Sequence, residues 1–366
     1  MYPKHTHLEG LRVVELAGVL AGPAVGMFFA ELGAEVVKIE NKRRGGDVTR
    51  TWKTPAEDPA EKDSAYYHAV NWGKQIEFRD LNDPDDLDSV VQLIDWADIL
   101  LVNFKAGDAE RYELDVPTLR NRFPRLIIGQ ITGFPDENRV AFDAVLQAET
   151  GLMSLNGAPD QGPMKLPVAF IDLFAAHQLK EGILLALFRR SKSNEGAHVK
   201  VSLFDSAIAS LANQASVFLN TGVPSGRTGS LHPSIAPYGE TFYCADGQHM
   251  LIACGSDAQF VALCSVLNRN DLTTDSRFKD NPSRVVHRQI LQGELGSAFL
   301  LENSFELMEK LIRVGIPAGI VRDLPGVFSI PEARKLILEE NRNGKSTKRV
   351  STAVFQINPM PCSKAS

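Results

Sequence analysis

The most constraining feature of this chain is its opening pattern, a short β-branched apolar run followed by a glycine turn, an apolar helix and a second such run. Leu11–Ala17 (LRVVELA) reads as a strand buried on both faces, and Glu35–Glu40 (EVVKIE) as the next one. Between them, Gly18–Gly22 forms a turn and Pro23 is placed at a first helical position, where its missing N–H costs nothing. Gly22, Gly26 and Ala30 recur every four residues, so one helix face is lined by small side chains that permit close backbone approach. A βαβ unit of this kind commits the chain to a parallel sheet with helical crossovers.

The alternation continues. A helix over Pro84–Trp96 precedes a strand at Asp98–Phe104, and Pro124–Ile131 is another strand. Helices are predicted over Ala144–Leu155, Leu173–Arg190 and Asp205–Asn220, with a strand at His198–Phe204. Thr221–Pro237 is rich in Gly, Ser and Pro and reads as a linker. Thr241–Cys244 and His249–Cys254 flank an Asp-Gly turn signal and predict a hairpin, followed by helices and a short strand at Ala318–Val321. The expected class is α/β: a Rossmann-like domain over residues 1–224, a smaller α+β domain over 225–325, and a segment 326–366 returning to the first domain.

The chain carries 39 basic and 45 acidic residues, a net charge of −6, which gives no reason to expect nucleic acid or an anionic membrane as partner. Apolar stretches such as Ile183–Phe188 fall far short of the ~20 residues of a membrane span. The opening MYPKHTHLEG lacks the apolar run of a secretory signal. Cys244, Cys254, Cys264 and Cys362 have no metal-binding spacing and suggest buried free thiols in a reducing cytoplasm.

A strand, a glycine turn and a helix make a ready anion site, and Glu40 stands where a dinucleotide-binding protein keeps its ribose-binding acid. A nicotinamide enzyme is therefore one alternative. Against it, the glycines are spaced four apart rather than as G-x-G-x-x-G, and Pro23 occupies the turn where the second glycine belongs. Close helix–sheet packing is the simpler explanation of the same glycines.

A longer series of segments carries a resemblance. L-x-G-L-R-V-V-E-L-A-G-V-L-A-G-P (Leu8–Pro23), L-G-A-E-V-V-K-I-E (Leu32–Glu40), G-D-V-T-R (Gly46–Arg50), N-W-G-K (Asn71–Lys74) and N-F-K-A-G (Asn103–Gly107) are followed in order by further matches. These are I-T-G-F (Ile131–Phe134), F-D-A-V-L-Q-A-x-x-G-L (Phe142–Leu152), V-x-x-I-D-L-F (Val168–Phe174), V-K-V-S-L-F-D (Val199–Asp205) and H-P-S-I-A-P-Y (His232–Tyr238). Together they resemble family III CoA-transferases, the group of formyl-CoA and carnitine CoA-transferases with α-methylacyl-CoA racemase as a relative. The smaller domain matches more loosely, at D-A-Q-F (Asp257–Phe260) and G-I-P-A-G (Gly315–Gly319).

The resemblance implies a Rossmann-like domain plus a small domain in an interlocked homodimer, and CoA transfer from an acyl-CoA to a carboxylic acid through mixed-anhydride and aspartyl-CoA thioester intermediates. It implies no metal and no tightly bound cofactor, coenzyme A being substrate. Asp172 matches the family's catalytic aspartate. On position alone Asp172, Asp143 and Asp205 each read as helix N-caps, and for Asp172 a helix N-terminus is expected to keep the carboxylate ionised. His177, one turn further on, reads as a packing or surface residue. By the same resemblance Val19, Lys74, Asn103, Phe104, Lys105 and Arg111 contact CoA, Lys74 and Arg111 being otherwise ordinary solvated cations. Asn41 stands where the family often has an arginine or proline, so that contact falls to Lys42, Arg43 or Arg44; Lys105-Ala106 replaces an arginine-proline, and the loop Pro135–Arg139 is short. The racemase alternative needs a histidine before Asp143, and Phe142 cannot move a proton.

Overall fold

A computed structural model of the chain describes residues 7–135, 139–342 and 344–358. Its centre is a six-stranded, wholly parallel sheet of β1 (Arg12–Glu15), β2 (Glu35–Asn41), β3 (Gln75–Arg79), β4 (Ile99–Val102), β5 (Ile127–Thr132) and β6 (Ala197–Ser202), in the order 3-2-1-4-5-6. Alternate residues of each strand serve opposite faces. Val13, Ile99, Leu101 and Ile127 join one core with α1 (Ala21–Glu31), whereas Val14, Leu100, Val102 and Ile128 join the other with α2 (Pro84–Trp96). Burial on both faces is why these strands read as continuous apolar runs. β3 escaped sequence reading because it is the edge strand, QIEFR, with no apolar run to mark it.

Helix boundaries moved where capping chemistry decided them. α2 starts at Pro84 because Asp83 accepts from the amides of Asp85 and Asp86. The helix predicted over Ala144–Leu155 is two, α3 (Asp143–Glu149) and a turn at Leu152–Leu155, parted at Gly151 with φ +90°. α4 (Phe170–Ser193) starts three residues before the expected Leu173, and Asn194 ends it in the left-handed conformation. After β6, Ser202 caps α5 (Leu203–Ser210) through the Asp205 amide, so Asp205 itself is not the cap. A second helix follows at Ala212–Thr221.

The chain divides into two compact units: residues 1–152, 165–220 and 331–366, and residues 153–164 and 221–330. In the second unit an antiparallel sheet of β7 (Tyr238–Tyr243), β8 (His249–Ala253) and β9 (Ala318–Ile320) packs with helices around Phe242, Met250, Ile252, Phe260, Leu295 and Phe299. The Asp246-Gly247 turn closes the expected hairpin, Gly247 taking φ +76°. Cys244, Cys254 and Cys264 are buried free thiols here, and burial pushes the last two up to about 12; Cys362 lies outside the described residues.

In the first unit a hairpin missed from sequence, β10 (Ile337–Arg342) with β11 (Lys345–Val350), precedes a segment anchored on the end of α1. Glu31, buried there, accepts from Arg349 at 2.6 Å and from the Thr352 and Ala353 amides at 3.0 and 2.7 Å. No helix among the described residues is long and apolar enough to cross a membrane.

Candidate active site

Open α/β sheets bind ligands at the carboxyl ends of their strands, and Val19, Asn103, Phe104, Lys105 and Arg111 line hollows there. The turn after β1 is held from two sides. Asn103, just past β4, accepts from the Gly18 amide at 3.1 Å and donates to the Gly18 carbonyl at 3.0 Å. Asp47 Oδ2 accepts from the Val19 amide at 3.1 Å. Val19 has φ +72°, a strained conformation for a β-branched residue that these clamps sustain. Two turn amides that a pyrophosphate cradle would offer are thus already engaged, one of them by a carboxylate.

Under this turn lies a cluster of buried charges. Lys38 Nζ meets Glu15 at 2.8 Å, Asp47 at 3.2 Å and the Ala17 carbonyl at 2.7 Å. Burial opposes its charge, yet Glu15 and Asp47 raise its pKa overall. Lys74, which the resemblance sets against CoA and which otherwise reads as a solvated cation, is buried here: its Nζ is 2.7 Å from Glu15 Oε2 and donates to the Pro23 carbonyl at 2.8 Å and Asn71 Oδ1 at 3.1 Å. Burial pulls its pKa down to about 7. Gly26 on the small-residue face of α1 leaves room for this cluster, since a Cβ there would sit 1.9 Å from Glu15 Oε2, whereas Gly22 serves close packing, a Cβ there falling 2.4 Å from the Ala17 Cβ. Lys74 is therefore a packing partner of Glu15 rather than a group facing a ligand.

Glu40 is equally committed. Arg50 reaches both of its oxygens, at 2.7 and 2.9 Å, Tyr67 donates to it at 2.7 Å and the Asp47 amide at 2.9 Å. No lone pair is left for a ribose, and the nicotinamide alternative loses its acid.

Around the clamped turn are three hollows. One of about 610 Å³ is lined by Val19, Asn103, Phe104, Lys105 and Phe142 among others; one of about 550 Å³ lies between Val19 and Thr51; and one of about 360 Å³ includes Phe104, Arg79 and Arg111. Arg44 borders all three. Of the three basic residues after Asn41, Lys42 pairs with Asp86 and Arg43 with Asp80. Arg111 donates to Asn82 at 2.5 Å. Of the short loop Pro135–Arg139, residues 136–138 lie outside the described residues.

Asp172 sits in the first turn of α4, 8% exposed. It is not the cap: Ala169 occupies that position with no side-chain bond, and Asp143 on α3 supplies the missing acceptor. Asp143 Oδ2 accepts from the Ile171 amide at 2.7 Å and lies 3.4 Å from the Asp172 amide, while its Oδ1 accepts from Gln147 at 2.5 Å. The expectation of a readily ionised carboxylate also fails. Burial, and then the charge of Asp143, push Asp172 up to about 7. Tyr66 completes the surroundings; burial and the charges of Asp172, Asp143 and Asp47 push its hydroxyl up to about 12. Asp172 does not itself line the large hollow; Phe142, the residue before Asp143, does. His177 is exposed on α4; partial burial, and then Lys180, lower its pKa, and among the described residues it makes no hydrogen bond to Asp172.

The model for CoA-transferase family III matches residues 8–364. This chain belongs to CoA-transferase family III. The family III enzyme is 37% identical over 334 residues to a succinate–glutarate CoA-transferase of Agrobacterium fabrum, spanning 89% of this chain and 83% of that one. It is 32% identical to a succinyl-CoA:mesaconate CoA-transferase of Haloarcula hispanica, over 92% and 86% of the two chains. In structure it is similar to a CAIB/BAIF family protein from Brucella suis, with a TM-score of 0.84 at 36% identity, covering 95% and 92%. In this CoA-transferase, sequence motifs located the clamped turn, the β4 end and Asp172. They missed Asp143 as the cap of α4, Asp47 as the clamp on Val19, and Tyr66. The Asp143-Ala-Val-Leu-Gln147 spacing was the available signal for the first: an aspartate and a glutamine one turn apart on α3.

Proposed function

We propose that the enzyme moves CoA from a small acyl-CoA to a carboxylic acid, with Asp172 as nucleophile. The observation that carries this is a buried carboxylate in the first turn of α4 with a pKa near 7 and a second carboxylate, not a cation, as its charged neighbour. In its ionised form Asp172 attacks the thioester carbonyl, forming an O–C bond and expelling CoA thiolate, which leaves a mixed anhydride. The thiolate attacks the Asp172 carbonyl carbon, releasing the donor acid and leaving an aspartyl-CoA thioester. The acceptor carboxylate displaces the thiolate to give a second anhydride, and thiolate attack on its acceptor carbonyl yields the new acyl-CoA and free Asp172. Splitting the exchange this way needs no water at any step, the oxygen nucleophile being a carboxylate each time.

CoA lies along the hollows at the strand ends, against Val19, Phe104, Lys105 and Arg111. Arg44, which borders all three hollows, takes the nucleotide end in place of the residue at Asn41. Asn103 acts indirectly, by fixing Gly18. Because two of its relatives carry names of enzymes handling succinyl, glutarate and mesaconate groups, small dicarboxylates are the first donors and acceptors to screen. No tightly bound cofactor is needed. The proposal includes an interlocked homodimer, supported by the exposed Leu185 and Phe188 on α4 and Leu219 beyond α5. It also includes a cytoplasmic location, supported by the unpaired described cysteines. Incubation with succinyl-CoA and hydroxylamine, followed by peptide mapping, tests the central claim: a hydroxamate on Asp172 is expected, and a mark on Asp143 or Asp205 overturns it.

A further inference from the structure

We infer that Asp143 is a positioning residue, which holds the start of α4 so that the Asp172 carboxylate meets the thioester in one orientation. The inference rests on Asp172 being the nucleophile and assigns a role to a second carboxylate that no substrate need touch.

The geometry is that of a cap supplied from another helix. α4 begins at an alanine that offers no side-chain acceptor, so its first amides are orphans at the point where orientation matters most. Asp143 Oδ2 takes the Ile171 amide at 2.7 Å and lies 3.4 Å from the Asp172 amide, the backbone of the nucleophile itself. Its other oxygen is fixed by Gln147 Nε2 at 2.5 Å. Gln147, buried one turn further along α3, spends its carbonyl oxygen on the Leu166 amide at 2.7 Å, tying down the irregular lead into α4. One aspartate and one glutamine thus pin both the approach to α4 and its first turn. Had the cap been local, on residue 169, it would have held α4 without referring it to α3. Supplied by Asp143, it registers Asp172 against Phe142 and the wall of the large hollow.

The same placement sets the charge around Asp172. The titratable groups in its surroundings are Asp143 on α3 and Tyr66 on the short helix Ala65–His68, with His177 and Lys180 further along α4. Only burial and Asp143 act on Asp172, and both favour its protonated form. Asparagine keeps an acceptor for the Ile171 amide while losing the charge and the bond from Gln147 Nε2, whereas alanine loses the cap as well, so the two variants share the loss of charge and differ in the cap.

The experiment compares Asp143→Ala, Asp143→Asn and Asp172→Ala in the full-length enzyme, measuring kcat, KM for succinyl-CoA, the pH dependence of kcat and the melting temperature. Asp143→Ala is expected to lower kcat by about 10²-fold with KM changed less than about threefold, as a loosened nucleophile predicts. Asp143→Asn is expected to recover most of kcat and to move the acidic inflection of kcat to lower pH. Wild-type kcat and pH profile in both Asp143 variants, with Asp172→Ala inactive, overturn the inference and leave the nucleophile standing. Turnover retained in Asp172→Ala overturns the nucleophile instead. If the alanine variant does not fold, the asparagine variant decides: an unmoved inflection counts against Asp143, a moved one for it.

Discussion

Two groups of buried carboxylates lie within the first unit and are treated in opposite ways. Beneath the first turn, Glu15, Asp47 and Glu40 are matched by Lys38, Lys74 and Arg50, with Tyr67, Thr49 and backbone amides also donating to Glu40 and Asp47. Burial alone would raise the pKa of Asp47 and Glu40, yet Lys38 and Thr49 hold the first, and Arg50 and Tyr67 the second, below their ordinary values. At the head of α4, Asp172 has Asp143 beside it and no ion pair among the described residues, and it is pushed up to about 7. Matching makes a carboxylate a structural part. Leaving one unmatched next to a like charge raises its pKa, at a cost to folding where it is ionised.

The pH dependence of stability separates the two. Asp47 and Glu40, lowered on folding, contribute stability above about pH 4 that is lost as pH falls through their folded values. Asp172, raised on folding, contributes nothing adverse below about pH 4; its penalty grows as pH rises from there to about 7.

The largest effect expected is on turnover. Asp172→Ala should reduce it by at least about 10³-fold while CoA affinity, measured by calorimetry, changes less than about fivefold. Retained turnover would erase the contrast, making both groups structural. Next, Lys38→Met strips the central cation from Glu15 and Asp47 and should destabilise the fold by about 3–5 kcal/mol in urea unfolding. A loss below about 1 kcal/mol would mean the cluster is not held by this charge. Asp172→Asn should do the reverse, stabilising the protein at pH 8 by up to about 4 kcal/mol and by almost nothing at pH 4. Equal melting shifts at both pH values would show that Asp172 is not raised. Smallest is Gly26→Ala, which sets a methyl against Glu15 Oε2 and should destabilise by about 1–3 kcal/mol in the same urea assay, with KM for acyl-CoA unchanged. A stabilised Gly26→Ala would mean the cluster yields without loss.

Much of this was legible in the residues because it is local. Val13, Val14 and Leu100 advertise strands buried on two faces, Pro84 after Asp83 announces a helix start, and Asp246-Gly247 announces a hairpin. The order of motifs also carried the family and put Asp172 at the head of a helix. What sequence did not convey depends on groups far apart in the chain. Lys74 reads as a CoA contact or a surface lysine until Glu15, 59 positions earlier, is seen 2.7 Å from it. Asp172 looks like its own helix cap until Asp143, 29 positions earlier, is found on the amides of α4. Burial and pairing set whether a carboxylate is charged, and both are properties of the packed chain. The sequence by itself determined which elements form and which side chains are available for chemistry; only the tertiary structure decided which acids are matched by a cation and which one has a like charge beside it.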